Sequence, residues 1–290
     1  MPYLERAGAS LYYEEAGEGP AILTTHGVTE NGHYWILPGV VDRLAQAGYR
    51  VVSTDMRAHG RTRTVGGPLG YDVETIAADL GAIADHLGLE RFHLLTHATG
   101  GMAGLRYAMR HSERLLSLMS TDTGSATLPT DAAAEVTDPD ASFERASGLG
   151  GLMAAAFRGQ SWDEIIPRSR ELARENVFLN RMHAAESPEA AFAMLEAIQR
   201  RGHPELLADF MSVFYDDPDP RIRDLRGISC PCLILLGEHD ALFAKPSEQL
   251  AREIPRSRHA VLPGRGHMTA LEDPERTTAE LLDFLASTKG

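Results

Sequence analysis

The chain has 290 residues, 43% of them hydrophobic, and a formal net charge of -13, enough for one large α/β domain or a domain carrying an insertion. An acidic balance without a basic stripe argues against nucleic acid and anionic membrane surfaces as partners. No apolar run approaches the ~20 residues of a bilayer span, and the opening MPYLERAGASLYYEEAGEGP has no basic stretch leading into an apolar one, so no signal peptide and a cytoplasmic location are expected.

In chain order, SLYYEEAG (10 to 17) reads as an early strand closed by a turn, and AILTTHG (21 to 27) as a short buried strand ending in glycine. Residues 39 to 47 look helical, and YRVVSTD (49 to 55) is the next buried strand. Residues 71 to 89 place Ile76, Leu80, Ile83 and Leu87 at helical spacing. RFHLLTH (91 to 97) is a strand, MAGLRYAMRH (102 to 111) a helix and LLSLMSTD (115 to 122) a strand. From 125 to about 225 the alternation stops. That stretch reads as loops and amphipathic helices rich in Ala, Met and Phe, such as AAFAMLEAIQ (190 to 199) and PELLADFMSVFY (204 to 215). The rhythm then returns with a strand at 232 to 240, a helix at 247 to 254, a strand and loop at 258 to 267, and a closing helix at 274 to 288.

Alternating apolar strands and helices predict a mostly parallel, doubly wound sheet covered on both faces. Residues 1–124 and 226–290 form the predicted core domain, and 125–225 a helical insertion. Cys230 and Cys232, split by Pro231, stand at a strand entrance; a bridge there would be strained, and no histidine lies at ligand spacing. They are expected to be buried reduced thiols. No phosphate-loop glycine pattern occurs, and neither metal nor cofactor is expected.

In sheets of this type the binding crevice lies at the carboxyl ends of the strands. Those ends carry His26-Gly27-Val28, Asp55, Ala98, Asp122, Asp240 and His267. At LLTHATGG (94 to 101) a buried strand runs into a glycine-opened helix, the junction where many enzymes carry a nucleophile within G-x-S-x-G. Here Thr96 holds the first position, Ala98 the nucleophile position and Gly100 the last. A methyl group cannot attack a carbonyl.

The order nucleophile position, acid, histidine, with HGV in the first loop, DMRAHGRT (55 to 62) in the second and GRGH (264 to 267) near the end, resembles the α/β-hydrolase family over essentially the whole chain. The chain departs from that pattern at Ala98 and Thr96. The resemblance implies that His267 is the base and that Asp240 orients it, with Asp122 as a rival for the acid. It implies an oxyanion hole from the backbone N–H groups of Val28 and Thr99, which does not depend on the side chain at 98. It makes residues 125–225 the lid. His26, His59 and His97 read as structural. Gly100, Gly101 and Gly104 read as packing glycines that let helix and strand approach. Trp35 and Tyr34 follow the first loop; each alone reads more readily as core, with Trp35 the candidate for the acyl side of the pocket wall, and Asp122 is expected to line the pocket or cap the lid. A minority of the insertion's Met153, Phe157, Met194, Phe210, Met211 and Phe214 are expected at the wall as well.

Three functions are compatible with this pattern. The first is a hydrolase of carboxylic esters or lactones of medium-sized apolar molecules, present in a form without its nucleophile. The second is an enzyme of lyase, decarboxylase or cofactor-free oxygenase type that uses His267 and Asp240 without a covalent step. The third is a binder of small apolar ligands. The expected partner is therefore a small apolar ester or lactone, and the sequence leaves oligomerisation open.

Overall fold

The computed structural model describes residues 2–64, 70–124, 149–176, 178–215 and 224–288. Its first strands are β1 (Tyr3–Arg6), β2 (Ala9–Ala16) and β3 (Ala21–Thr24), followed by helices α1 (His33–Ile36) and α2 (Val40–Gln46). Next come β4 (Arg50–Thr54), β5 (Arg63–Thr64), α3 (Val73–His86), β6 (Phe92–His97), α4 (Ala98–His111) and β7 (Leu115–Thr121). Helices α5 (Leu149–Ala155), α6 (Trp162–Glu171), α7 (Pro188–Gln199) and α8 (Pro204–Phe214) follow, and no strand occurs among the described residues between β7 and β8 (Cys232–Gly237). The chain closes with α9 (Ala244–Glu253), β9 (Ser257–Leu262), α10 (Thr269–Glu272) and α11 (Pro274–Ser287).

The sheet order is β1-β2-β4-β3-β6-β7-β8-β9, with β5 beside β2. β2 runs antiparallel to its neighbours, and every pair from β4 to β9 is parallel. This is the mostly parallel sheet predicted from the alternation. Period-two alternation sends neighbouring strand residues to opposite faces. Ile22, Val51, Leu95, Met119 and Leu233 pack with α2 and α11 on one face. Leu23, Val52, Leu94, Leu118 and Ile234 pack with α3, α4 and α9 on the other. Each such aliphatic side chain, fully buried, contributes about 1.5–3 kcal/mol, so the sheet and its two helical layers form a stiff platform.

A third apolar cluster joins α5, α6 and α8 to Met102, Ala103, Leu236 and Phe243 of the platform. The stretch 125–148, the first part of the predicted insertion, lies outside the described residues. No described helix is long and apolar enough to cross a membrane. The short elements β1, β5, α1 and α10 are additions to the sequence-based reading, and α4 begins at Ala98, four residues before the helix read from the sequence.

Candidate active site

From β3 the chain passes to β4 on one side and then returns to β6 on the other side of β3. The carboxyl ends of β3 and β6 therefore flank the switch point, where an open α/β sheet presents its crevice. The loop after β3 carries Gly27 to Glu30, and β6 runs straight into α4.

Ala98 sits at that junction with φ +46°, in the left-handed region. That conformation costs an L-residue roughly 1–2 kcal/mol. Backbone contacts hold it there. The Gly100 N–H donates to the His26 carbonyl at 2.9 Å, and the Thr123 hydroxyl donates to the Ala98 carbonyl at 2.6 Å. A Cβ on Gly100 would stand 2.6 Å from the His26 oxygen, so only glycine permits this approach. Gly104 is open for a related reason: a Cβ there would stand 2.7 Å from the Cγ2 of Thr96. The branched Thr96 side chain is thus packed against α4, in the space between strand and helix.

His267 follows β9 and two glycines, and its Nδ1 lies 2.8 Å from the Asp240 Oδ2. Both side chains are buried. The ring of Phe243 stacks on the imidazole at 5.4 Å, and that of Phe178 meets it edge-on at 4.9 Å. These rings fix the orientation of the imidazole and keep bulk water from it. Asp122 does not occupy the acid's place. Its Oδ2 accepts from the Thr269 hydroxyl at 2.5 Å and its Oδ1 from the Gly237 N–H at 3.1 Å. It therefore ties the end of β8 to the segment after His267.

A cavity of about 310 Å³ brings together Val28, Ala98, Thr99 and His267. The Thr99 N–H belongs to the first turn of α4, whose amides have no partner within the helix. Met153 and Phe157 line the cavity with Met211. The remaining wall residues expected from the sequence lie elsewhere. Trp35 is fully buried and donates its indole N–H to the Thr25 carbonyl at 2.9 Å, bracing the back of the first loop. Tyr34 stacks on His97 at 4.2 Å. Phe210 and Phe214, one turn apart on α8, stack on each other at 5.0 Å, and Phe210 also meets His59 at 4.7 Å. The i, i+4 pair faces the packed core, and it is the adjacent Met211 that turns to the cavity. Asp122 is also absent from the wall, because its carboxylate is fully buried beneath it.

Two of the histidines read as structural make backbone contacts. His26 donates from Nδ1 to the Gly27 carbonyl at 2.8 Å and accepts the Met56 N–H at Nε2 at 3.0 Å. His59 lies between the Arg57 and Val28 carbonyls at 2.7 and 2.6 Å. His97 forms something the sequence did not suggest. Its Nε2 is 3.3 Å from the Glu30 carboxylate and its Nδ1 is 3.5 Å from that of Asp122. Burial opposes the imidazolium there, but the charges of Glu30 and Asp122 outweigh it and raise the imidazole to about 9. Burial pushes the Asp122 carboxyl upward, against the pull of His97.

Glu30 also accepts the Gly27 N–H at 2.7 Å. The row Glu30–His97–Asp122 therefore runs from the first loop, under the Ala98 junction, to the Asp240–His267 pair. Glu30 lines the cavity, as does Tyr215 at the end of α8. Neither was singled out from the sequence. For Glu30 the available signal was its place two residues after HGV; for Tyr215 there was none beyond its position at a helix end.

The alpha/beta hydrolase fold model matches residues 20–274. A non-heme haloperoxidase from Rhodococcus erythropolis is 27% identical over 99% of this chain and 100% of its own. A pimeloyl-acyl-carrier-protein methyl ester esterase from Aeromonas hydrophila is 28% identical over 92% of this chain and 96% of its own. The structure of a thermophilic esterase from Thermogutta terrifontis superposes with a TM-score of 0.73 at 26% identity, covering 97% of this chain and 95% of that one. With the model spanning most of the sequence and the sheet order in agreement, the chain belongs to the alpha/beta hydrolase fold family.

Proposed function

We propose that this protein is a hydrolase of carboxylic esters or lactones of medium-sized apolar molecules, present in a form that lacks its nucleophile. The observation that carries this reading is the buried His267–Asp240 pair, 2.8 Å apart, opening on the same apolar cavity as Ala98. The esterases among its relatives support the substrate class.

In this reading a substrate carbonyl oxygen meets the N–H groups of Val28 and Thr99, and its acyl chain lies along Met153 and Phe157. The helices after β7 act as the lid. With alanine at 98 the site binds and orients the ester but forms no acyl-enzyme. A serine hydroxyl at 98 would attack the carbonyl carbon and pass its proton to His267 Nε2. His267 would then protonate the leaving alkoxide, and water would release the acid by the same route. In a serine protease the loss of the nucleophile lowers kcat on the order of a millionfold while binding persists.

The test compares the chain as it stands, Ala98→Ser, and Ala98→Ser with His267→Ala, using p-nitrophenyl butyrate, a lactone panel and a fluorophosphonate label. Turnover and labelling that appear only in Ala98→Ser support the reading. A folded Ala98→Ser protein with neither turnover nor label refutes it. Turnover by the parent that vanishes on His267→Ala would move the assignment to non-covalent His/Asp chemistry.

A further inference from the structure

Thr99 and Tyr215 lie 116 positions apart in the chain, yet the Thr99 Oγ1 and the Tyr215 Oη are 2.6 Å apart. Thr99 is 3% and Tyr215 1% exposed, and both line the cavity with His267 and Ala98. Two hydroxyls carry two protons, and the hydrogen bond between them uses one. The other O–H needs an acceptor, because a buried donor left unmade is penalised. The phenol is the more acidic partner, and therefore the better donor. Tyr215 donates to Thr99, which leaves the Thr99 Oγ–H to turn into the cavity. Burial pushes the Tyr215 phenol well above its ordinary value, so it stays protonated and available as the donor of this pair.

We propose that the Thr99 hydroxyl, oriented by Tyr215, is a side-chain donor to the carbonyl oxygen of a bound ester or lactone, acting beside the backbone donors of the oxyanion site. The chemistry selects ligands with an acceptor at that point over isosteric ethers and hydrocarbons. It also connects the insertion to the reaction centre, because Tyr215 caps the C-terminal end of α8. The inference rests on the ester-binding reading, but its test requires no turnover.

The chain with Ala98 binds an ester without forming an acyl-enzyme, so affinity reports the contact directly. Titration calorimetry would compare p-nitrophenyl butyrate with p-nitrophenyl butyl ether, which lacks the carbonyl. The parent should prefer the ester. Thr99→Val should weaken ester binding roughly five- to tenfold, the scale of one neutral hydrogen bond, and leave the ether within about twofold. Thr99→Ser should restore the preference. Tyr215→Phe, which keeps the Thr99 hydroxyl but frees its rotor, should give an intermediate loss. The double variant Thr99→Val, Tyr215→Phe tests whether an unpaired phenol takes over as donor. Equal weakening of both ligands by Thr99→Val, or no ester preference in the parent, overturns the proposal. Ester-selective binding that depends on Thr99, together with an inert Ala98→Ser protein, would leave this donor standing and remove the hydrolase reading.

Discussion

Replacing His97 by asparagine should remove a pH-dependent part of the stability. His97 is fully buried between Glu30 at 3.3 Å and Asp122 at 3.5 Å, and the imidazole is raised from 6.5 to about 9. A raised pKa means that the folded state holds the proton more tightly. The resulting stabilisation is fully present below the unfolded value and is lost as pH rises through the folded one. A shift from 6.5 to about 9, at about 1.36 kcal/mol per unit, amounts to roughly 3 kcal/mol, most of which remains at pH 7. Urea unfolding of parent and His97→Asn, followed by tryptophan fluorescence between pH 6.5 and 10, measures it. The variant should be less stable at pH 7, since removing one partner of a buried ionic group costs about 3–5 kcal/mol. The gap should then narrow by roughly 2–3 kcal/mol toward pH 10. An NMR titration of the parent should place the imidazole midpoint near 9. A gap that stays constant across the range, or an imidazole that titrates near its ordinary value, would refute the charged row beneath Ala98.

Two further outcomes follow from the packing. Gly100→Ala places a methyl 2.6 Å from the His26 oxygen and 2.8 Å from Thr25. Neither the strand end nor its backbone can yield cheaply, so a loss of about 1–3 kcal/mol is expected; an unchanged thermal midpoint would contradict the close approach. In the Ala98→Ser background, Met153→Ala and Phe157→Ala should raise KM for longer acyl chains, while kcat/KM for p-nitrophenyl acetate changes less than about threefold. Equal losses on short and long substrates would show that these side chains do not contact the acyl chain.

The fold was legible because its determinants are local and periodic. Pairs such as Ile22 and Leu23, or Leu94 and Leu95, divide between the two faces of the sheet. The glycines after His97 read directly as a close strand-to-helix junction. Asp240 and His267 were legible as strand-end residues in a recognisable chain order, and the structure sets them 2.8 Å apart. Less visible was what depends on contact between distant segments. Glu30 looks like any loop acid until folding places it against His97. Tyr215 and Thr99 share no pattern at all. Phe210 and Phe214 misled for the opposite reason: an aromatic at helical spacing serves the core as well as a pocket wall, and only the rotation of α8 separates Phe210 from Met211. The four-residue elements β1, α1 and α10 are too short to show a period.

On the proposed reading, the position of Ala98 explains why the absence of one oxygen would be chemically complete and structurally slight. Its left-handed backbone at φ +46° is not maintained by anything a serine hydroxyl would supply. The Gly100 contact to His26, the Thr123 bond to the Ala98 carbonyl and the ionic row through His97 all act on the backbone or on neighbouring side chains. The same contacts place the amide of Thr99 and the loop that carries Val28. The strain of roughly 1–2 kcal/mol at this residue is therefore offset by the core whether or not a nucleophile is present. The geometry proposed to bind a carbonyl is set before the side chain at 98 is considered. A serine at this position would replace one hydrogen on a Cβ that already faces the cavity shared with His267, and the surrounding framework has no reason to move.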